Sequence, residues 1–280
     1  MQVFKFIIRQ TAVAFAFLCF YGVAAAQDEE GKPALVTDRP DMTESATIVP
    51  VGSIQLETGL LYTSDKTSTI LGDITSTSFS IPNNLFRIGI IKPLELRVIF
   101  GEYGMSKGKL GAVSVDGPKG LSPLAVGTKV KFWDEKGWIP ETAIIAHVTL
   151  PLGGKDVKPL QPIYDYRFSL AHTFSDKLSL GYNIGGEYDP AAVYDPVTDT
   201  YSGEYAGIYT IALGVGITDK FGVFGEFFGD YMDAKNHEFD AGLTYMLAEL
   251  IQFDLSGGFG LTEEANDFFI SSGITFRWLK

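Results

Sequence analysis

Residues of alternating polarity recur along this 280-residue chain, and the alternation constrains its fold more than any other feature. In residues 251–261, apolar positions such as Phe253 and Leu255 alternate with polar or small ones such as Asp254. A period of two is typical of a β-strand whose two faces lie in different surroundings. The pattern returns in 237–247 and in many other segments. The sequence therefore predicts an all-β protein.

Twelve antiparallel strands of this kind are predicted. Most of them have roughly the 9–11 residues that a tilted strand needs to cross a membrane. They cover 53–63, 83–91, 94–103, 123–133, 139–150, 162–174, 177–188, 204–218, 221–231, 237–247, 250–261 and 267–278.

The connections between the predicted strands alternate between long and short. The long ones are 64–82, 104–122, 151–161 and 189–203, followed by the shorter 232–236 and 262–266. The intervening turns are tight, for example at Lys92 and Pro93. Every long connection then lies at one end, as in single closed outer-membrane β-barrels, which have short periplasmic turns and longer external loops.

Alternation alone does not say which face points inward, because soluble and membrane barrels share the pattern. The apolar parity is rich in Leu, Ile, Phe and Tyr on all twelve strands, which is too much for one barrel interior. Aromatic residues also cluster near the predicted strand ends, like the girdles of membrane barrels. They are Trp133, Trp138, Phe174, Phe221 and Trp278 at one end, and Tyr62, Tyr103, Tyr164, Tyr188, Tyr205 and Tyr231 at the other. We expect a membrane barrel, with a soluble periplasmic barrel as the alternative.

The N-terminus has the features of a signal peptide over residues 1–26. Lys5 and Arg9 precede an uncharged, mostly apolar stretch that ends in small residues before Gln27. A membrane anchor is the alternative, although the uncharged run is short of the ~20 residues that a spanning helix needs. We expect export to the bacterial outer membrane, a periplasmic N-terminal segment at 27–52 and a transmembrane barrel at 53–280. Cys19, the one cysteine, lies in the signal, so no disulfide is expected.

The chain is acidic, with 22 basic and 34 acidic residues and a formal charge of −12. Removal of residues 1–26 takes away Lys5 and Arg9, leaving 20 basic residues and a charge of 20 − 34 = −14. This balance argues against a nucleic-acid partner, because phosphate binding needs a basic patch. The expected partners are outer-membrane lipid, a small-molecule solute and the barrel assembly machinery.

The densest group of opposite charges is TDRPDMTES, at 37–45, before the first predicted strand. It is interpreted either as a plug that pairs with charges inside the barrel or as a solvated linker. Strand parity places charges of both signs in a narrow lumen, where we expect most of them to pair. The candidate plug and lumen residues are Asp38, Arg39, Asp41, Glu44, Glu57, Arg87, Glu95, Arg97, Lys129, Lys131, Glu141, Asp165, Arg167, Glu187, Glu226, Asp240, Asp254 and Arg277.

Six short motifs carry a resemblance to a known family. They are TDRPDMTES followed by VPVGSIQLETGLLY (49–62), then LFRIGIIKPLELRV (85–98), LAVGTKVKF (124–132), ETAIIAHVTLPLG (141–153) and SLGYNIGGEY (179–188). The chain resembles the bacterial outer-membrane transporter-like family named for a meta-cleavage pathway of phenol degradation. The resemblance implies an outer-membrane β-barrel that helps hydrophobic or aromatic compounds to cross. The ending FRWLK departs from the terminal aromatic that is usual in such barrels.

No enzymatic activity, cofactor or metal site is expected. His147, His172 and His237 are dispersed, and a G-x-S-x-G motif is absent from the sequence. Three separate histidines without a cysteine in the exported chain do not suit zinc. The sequence favours a transport protein that passes small, perhaps hydrophobic, solutes through a narrow charged lumen. A non-conducting structural barrel is the alternative.

Overall fold

Antiparallel strands account for almost all regular structure in the computed structural model, which describes residues 33–70, 72–231 and 236–279. The segment 1–26, interpreted as a signal peptide, lies outside these residues. Within them, no helix is long and apolar enough to cross a membrane. The strands are β1 (Ile54–Thr69), β2 (Gly72–Ile91), β3 (Leu94–Ile99), β4 (Tyr103–Leu110), β5 (Val113–Leu121), β6 (Ala125–Trp133), β7 (Glu141–Thr149), β8 (Ile163–Ser175), β9 (Leu178–Asp195), β10 (Thr200–Gly216), β11 (Phe221–Asp230), β12 (His237–Ala248), β13 (Ile251–Gly260) and β14 (Phe268–Trp278).

Twelve of these strands close into a barrel, which confirms the predicted fold class. β1 pairs with both β2 and β14, so that Ile54 lies opposite Ile88 on one side and Trp278 on the other. The remaining neighbours follow the order β14 to β6 and then β3 and β2. Closure leaves no open sheet edge in the barrel wall, which is the condition for a β structure in lipid.

Apolar side chains point outward and charged side chains point inward. On β13, Phe253 and Leu255 are 40% and 38% exposed, whereas Asp254 between them is 0% exposed. Opposite them on β12, Asp240 is 1% exposed. This orientation is the one predicted for a membrane barrel, and it is the reverse of a soluble barrel.

The predicted loops at 64–82 and 189–203 are wrong, because both segments continue the strands beside them. Residues 64–69 and 72–77 pair as a hairpin extension of β1 and β2. Similarly, Tyr194 and Tyr201 are paired across the extension of β9 and β10, and their ring centroids are 5.0 Å apart. Beyond the membrane both strand faces meet water, so a strand there needs no apolar parity and its signal in the sequence is lost.

The predicted loop at 104–122 is also wrong, since it forms the hairpin of β4 and β5. β4 pairs with the outer part of β2, from Ile74 to Ile81, and so lies beside the barrel wall. The predicted strand 94–103 is accordingly shorter and ends at Ile99. The loops at 151–161 and 262–266 and the short turn at 92–93 are confirmed. The predicted loop at 232–236 falls mostly outside the described residues.

Candidate functional site in the barrel lumen

Residues 33–50 run along the inner wall of the barrel. The guanidinium of Arg277, one residue from the end of β14, donates to the carbonyl oxygens of Pro33 and Ala34. The chain then rises to a turn at 41–43 and returns to the same end, where the amide of Val49 donates to Glu95 near the start of β3 at 2.8 Å. The segment therefore forms an inward loop before it joins β1.

Asp38 is the centre of the charge contacts in this loop. Its carboxylate lies 2.6 Å from Arg97, 2.9 Å from Lys129 and 3.1 Å from Arg87. Burial raises the pKa of Asp38, but the charges of Arg87, Lys129 and Arg97 outweigh it and hold the pKa well below its usual range. Three cations of the barrel wall thus bind one anion of the segment.

Carboxylates of the wall complete this cluster. Arg87 lies 2.9 Å from Glu57 and 2.8 Å from Glu95, and Arg97 lies 3.2 Å from Glu95. Glu44, from the returning half of the segment, contacts Arg97 at 2.5 Å. With Asp38, the cluster contains four acids and three bases, so its buried charges nearly cancel, as burial requires.

Arg39 extends to a different part of the wall, on β13 and β14. Its guanidinium contacts Asp254 of β13 at 2.9 Å and the hydroxyl of Ser271 at 2.9 Å. Gly59 and Gly273, paired on β1 and β14, make room for it. A Cβ atom at Gly59 would lie 2.7 Å from Arg39 Cζ, and one at Gly273 would lie closer still to the guanidinium. The wall is therefore shaped around this side chain.

The turn at 41–43 is held by β8, β10 and β11. The amide of Met42 and the hydroxyl of Thr43 donate to Glu226 at 2.7 and 2.5 Å. Arg167 donates to the carbonyl oxygen of Met42 at 3.2 Å. Burial raises the pKa of Asp41 well above its usual range, and the charge of Glu226 raises it further.

Other candidate residues line the lumen away from the segment. Lys131 pairs with Glu141 at 2.6 Å beside the short turns, and also contacts Asp134. Asp165 accepts a hydrogen bond from His147 Nδ1 at 3.0 Å, because Arg97 donates to the other ring nitrogen. Glu187 is exposed and lies opposite Asp165 in the register of β8 and β9.

Several contacts are made by residues that the list of charged candidates omits. Asn183 bonds both the amide and the carbonyl of Glu44, and the hydroxyl of Thr210 bonds Thr43. Gln55 donates to the carbonyl oxygen of Val36. The inward parity identifies the positions of these side chains, but an uncharged residue carries no sign of a partner. Ser271 and the two glycines beside Arg39 escape sequence reasoning for the same reason.

The histidines contact separate groups. His172 lies 3.4 Å from Glu135, and His237 lies 3.1 Å from the hydroxyl of Tyr209. Across 33–70, 72–231 and 236–279, no group of three His, Cys, Asp or Glu side chains is arranged to hold a metal ion.

A closed twelve-stranded barrel with an apolar exterior and a charged, partly filled interior is a transmembrane β-barrel. Residues 37–278 match the family described as "Putative MetA-pathway of phenol degradation", and the chain belongs to this family. No curated protein matches the sequence significantly.

This chain is similar to several solved structures at low sequence identity. The COG4313 outer membrane channel from Pseudomonas putida F1 is 10% identical, with a TM-score of 0.60 over 83% of this chain and 98% of that chain. The translocator domain of the autotransporter NalP from Neisseria meningitidis is 8% identical, with a TM-score of 0.48 over 96% and 98%. The toluene transporter TbuX from Ralstonia pickettii is 8% identical, with a TM-score of 0.43 over 82% and 90%. At 10% identity, the likeness to the COG4313 channel shows the fold alone.

Proposed function

We propose that this protein is a channel of the Gram-negative outer membrane that passes small, hydrophobic or aromatic solutes, and that residues 33–50 restrict its lumen. The observation that carries the proposal is the direction of the side chains. Outward faces suit lipid, while the inward faces of the same strands suit an enclosed polar path. The solute class rests on the phenol-degradation family. This function needs lipid and the barrel assembly machinery as partners, and it needs no catalytic residue.

The inward loop supports the restricting role. Asp38 binds Arg97 of β3 and Thr43 binds Glu226 of β11, and these strands lie on opposite sides of the closed barrel, so the backbone of the loop crosses the space between them. A twelve-stranded barrel lies between small barrels, which side chains fill, and wide porins, which stay open. A segment inside such a barrel removes much of the remaining width. The lumen that remains is expected to be narrow.

A non-conducting structural barrel is the second candidate. It is favoured by the complete burial of Arg87, Glu95 and Lys129 by the loop and by each other. A permanently filled interior of this kind would stabilise the barrel without passing a solute.

Conductance across a planar bilayer, together with swelling of liposomes in small solutes, separates the two candidates. We expect low conductance from the full chain and a several-fold larger conductance after deletion of 28–45. A matched deletion of 107–116, in the external hairpin of β4 and β5, should leave conductance unchanged. Absence of both conductance and swelling for any solute, with and without 28–45, would refute transport. A clear conductance that the deletion of 28–45 does not alter would refute the restricting role.

A further inference from the structure

Two carboxyl groups of the wall face each other beside the turn at 41–43. Glu226 of β11 and Asp240 of β12 are directly opposite in the register, and they are 0% and 1% exposed. Side chains at directly opposite positions of antiparallel strands have Cβ atoms about 4.5–5.5 Å apart. Two negative charges at that separation, out of contact with water, would repel each other strongly.

Hydrogen-bond directions identify which of the two is ionised. Glu226 accepts from the amide of Met42 at one oxygen and from the hydroxyl of Thr43 at the other. The contact between the hydroxyls of Thr43 and Thr210 is compatible with this direction, since either hydroxyl can donate in it. Since both oxygens of Glu226 act as acceptors, Glu226 is the carboxylate of the pair.

Asp240 is the group that lacks a partner. Neither of its carboxyl oxygens accepts a hydrogen bond from an N–H or hydroxyl donor of a described residue, although both are buried. A Cβ atom at Gly258 would lie 2.6 Å from both Asp240 Cβ and the ring of Phe269, so the space around Asp240 is tight. The arrangement also lacks the geometry of a metal site among the described residues. A proton is the occupant that fits.

Charged groups on the surrounding elements do not supply a cation to this pair. On β13, Asp254 is paired with Arg39, and Asp38 of the segment is paired with the wall cluster. Glu238 of β12 adds another acid on the same face. Arg167 of β8 bonds the Met42 carbonyl oxygen, and the facing residues of β10, Thr210 and Ala212, are uncharged.

We propose that Asp240 carries a proton that it donates to Glu226, and that this proton fastens the turn at 41–43 in the lumen, so that rising pH releases the turn. Proton binding here leaves the covalent structure unchanged. Loss of the proton places a second negative charge beside Glu226 and close to Asp41. Movement of the segment away from the pair then lowers the free energy, because the charge of Asp41 becomes solvated.

Asp41 responds in the same direction. Burial and the charge of Glu226 raise its pKa while the turn is seated. A carboxyl group whose pKa is raised in the seated state binds more protons there than when it is released. The contribution of Asp41 to seating is therefore fully present below the ordinary aspartate pKa of about 3.9, and it weakens as pH rises through the raised value.

A spin label at position 42 reports release of the turn without any transport. Met42 is exposed, so a label attached to Met42→Cys can be accommodated. Replacement of Cys19 by serine leaves this cysteine as the one thiol of the full chain. In the refolded barrel, the mobile fraction of the label should rise reversibly as pH is raised above the ordinary aspartate pKa of about 3.9. Each proton released shifts the ratio of mobile to immobile label by up to about tenfold per pH unit. A label at Ser68, in the external hairpin, is the control and should not respond.

Asp240→Asn is the decisive variant, because the amide retains the shape and can still donate to Glu226. The label in this variant should become mobile only at a higher pH than in the parent, because Asp41 alone then drives release. A pH-independent label in the parent protein would overturn the proposal, whether or not the variant folds. Release in Asp240→Asn at the same pH as in the parent would also overturn it. Release caused by exchange of K⁺ for Na⁺ at fixed pH would also overturn the proposal, because the group bound beside Glu226 would then be a metal cation and not a proton. None of these results decides whether the protein conducts solutes, which the conductance test measures separately.

Discussion

At the scale of single residues, two aspartates three positions apart are held by opposite means. Asp38 is stabilised as an anion by Arg87, Arg97 and Lys129, so its pKa is lowered. Asp41 lies among other acids, so its pKa is raised. By linkage, the Asp38 contact weakens as pH falls below the ordinary aspartate pKa, whereas the Asp41 contact weakens as pH rises above it. The two contributions together are expected to seat the segment most firmly near the ordinary aspartate pKa of about 3.9.

Asp38→Asn should destabilise the barrel. The amide cannot balance three buried cations, and removal of one partner from a buried ion pair costs about 3–5 kcal/mol. Urea unfolding of the refolded barrel, followed by the shift between folded and unfolded bands on a gel, measures this loss. Asp116→Asn is the matched control, since Asp116 is exposed in the external hairpin and its change should stay within about 0.5 kcal/mol. Equal stability of the two variants would show that the Asp38 contacts contribute little.

The sequence predicts the chemistry of these residues better than their pairing. Strand parity places Arg87, Arg97 and Lys129 inside the barrel, and the charges of 37–45 suggest a partner for them. Which acid meets which base depends on the path of a segment that has no regular structure and hence no period. The separation of Asp38 from Asp41 into a basic and an acidic environment is visible only in three dimensions.

At the scale of elements, the wall strands carry small residues where the segment passes. Gly273 of β14 underlies the guanidinium of Arg39, and Gly181 of β9 lies beside Thr43, which a Cβ would approach to 3.0 Å. Alternation identifies these positions as inward, but a glycine there is equally compatible with an empty lumen. Its role as a contact surface follows from the segment, which the strand pattern does not describe.

Gly273→Ala should displace Arg39 without disturbing the barrel. The three atoms nearest to an added Cβ all belong to the Arg39 guanidinium, which can move, whereas at Gly59 the backbone oxygen of Ser272 would also obstruct it. Loss of the charged hydrogen bonds to Asp254 removes about 1.5–3 kcal/mol of seating. We expect a larger and more variable conductance in planar bilayers. Gly108→Ala, in open space on β4, is the control and should behave as wild type.

The external hairpins are strands that the alternation of polarity does not predict. Inside the membrane a strand has one lipid face and one lumen face, so its period of two is strong. In 64–80 the chain is rich in Ser and Thr on both faces and is held instead by cross-strand contacts, such as Lys66 with Asp73 at 2.6 Å. Outside the membrane the pattern fades although the strand continues. The alternation therefore predicts strand ends near the membrane boundary and not at the true turns.

At the scale of the whole molecule, the predicted orientation is confirmed because it depends on every strand at once. A single alternating strand is compatible with either direction of its apolar face. Twelve of them carry more large apolar side chains than a barrel of this size can enclose, so the direction follows from volume. The filling of the lumen does not follow from volume, because it depends on a segment outside the barrel wall.

The orientation makes a depth-dependent prediction. Ile211 lies near the middle of the membrane part of β10 and is exposed outward, whereas Leu247 is exposed near the short-turn end of β12. Arginine on a lipid face costs about 2–4 kcal/mol at the midplane and about 0–1 kcal/mol near the interface. Ile211→Arg should therefore lower the free energy of unfolding in lipid bilayers much more than Leu247→Arg does. Comparable small effects at both positions would mean that these faces do not meet hydrocarbon, and the assignment of the barrel to a membrane would be wrong.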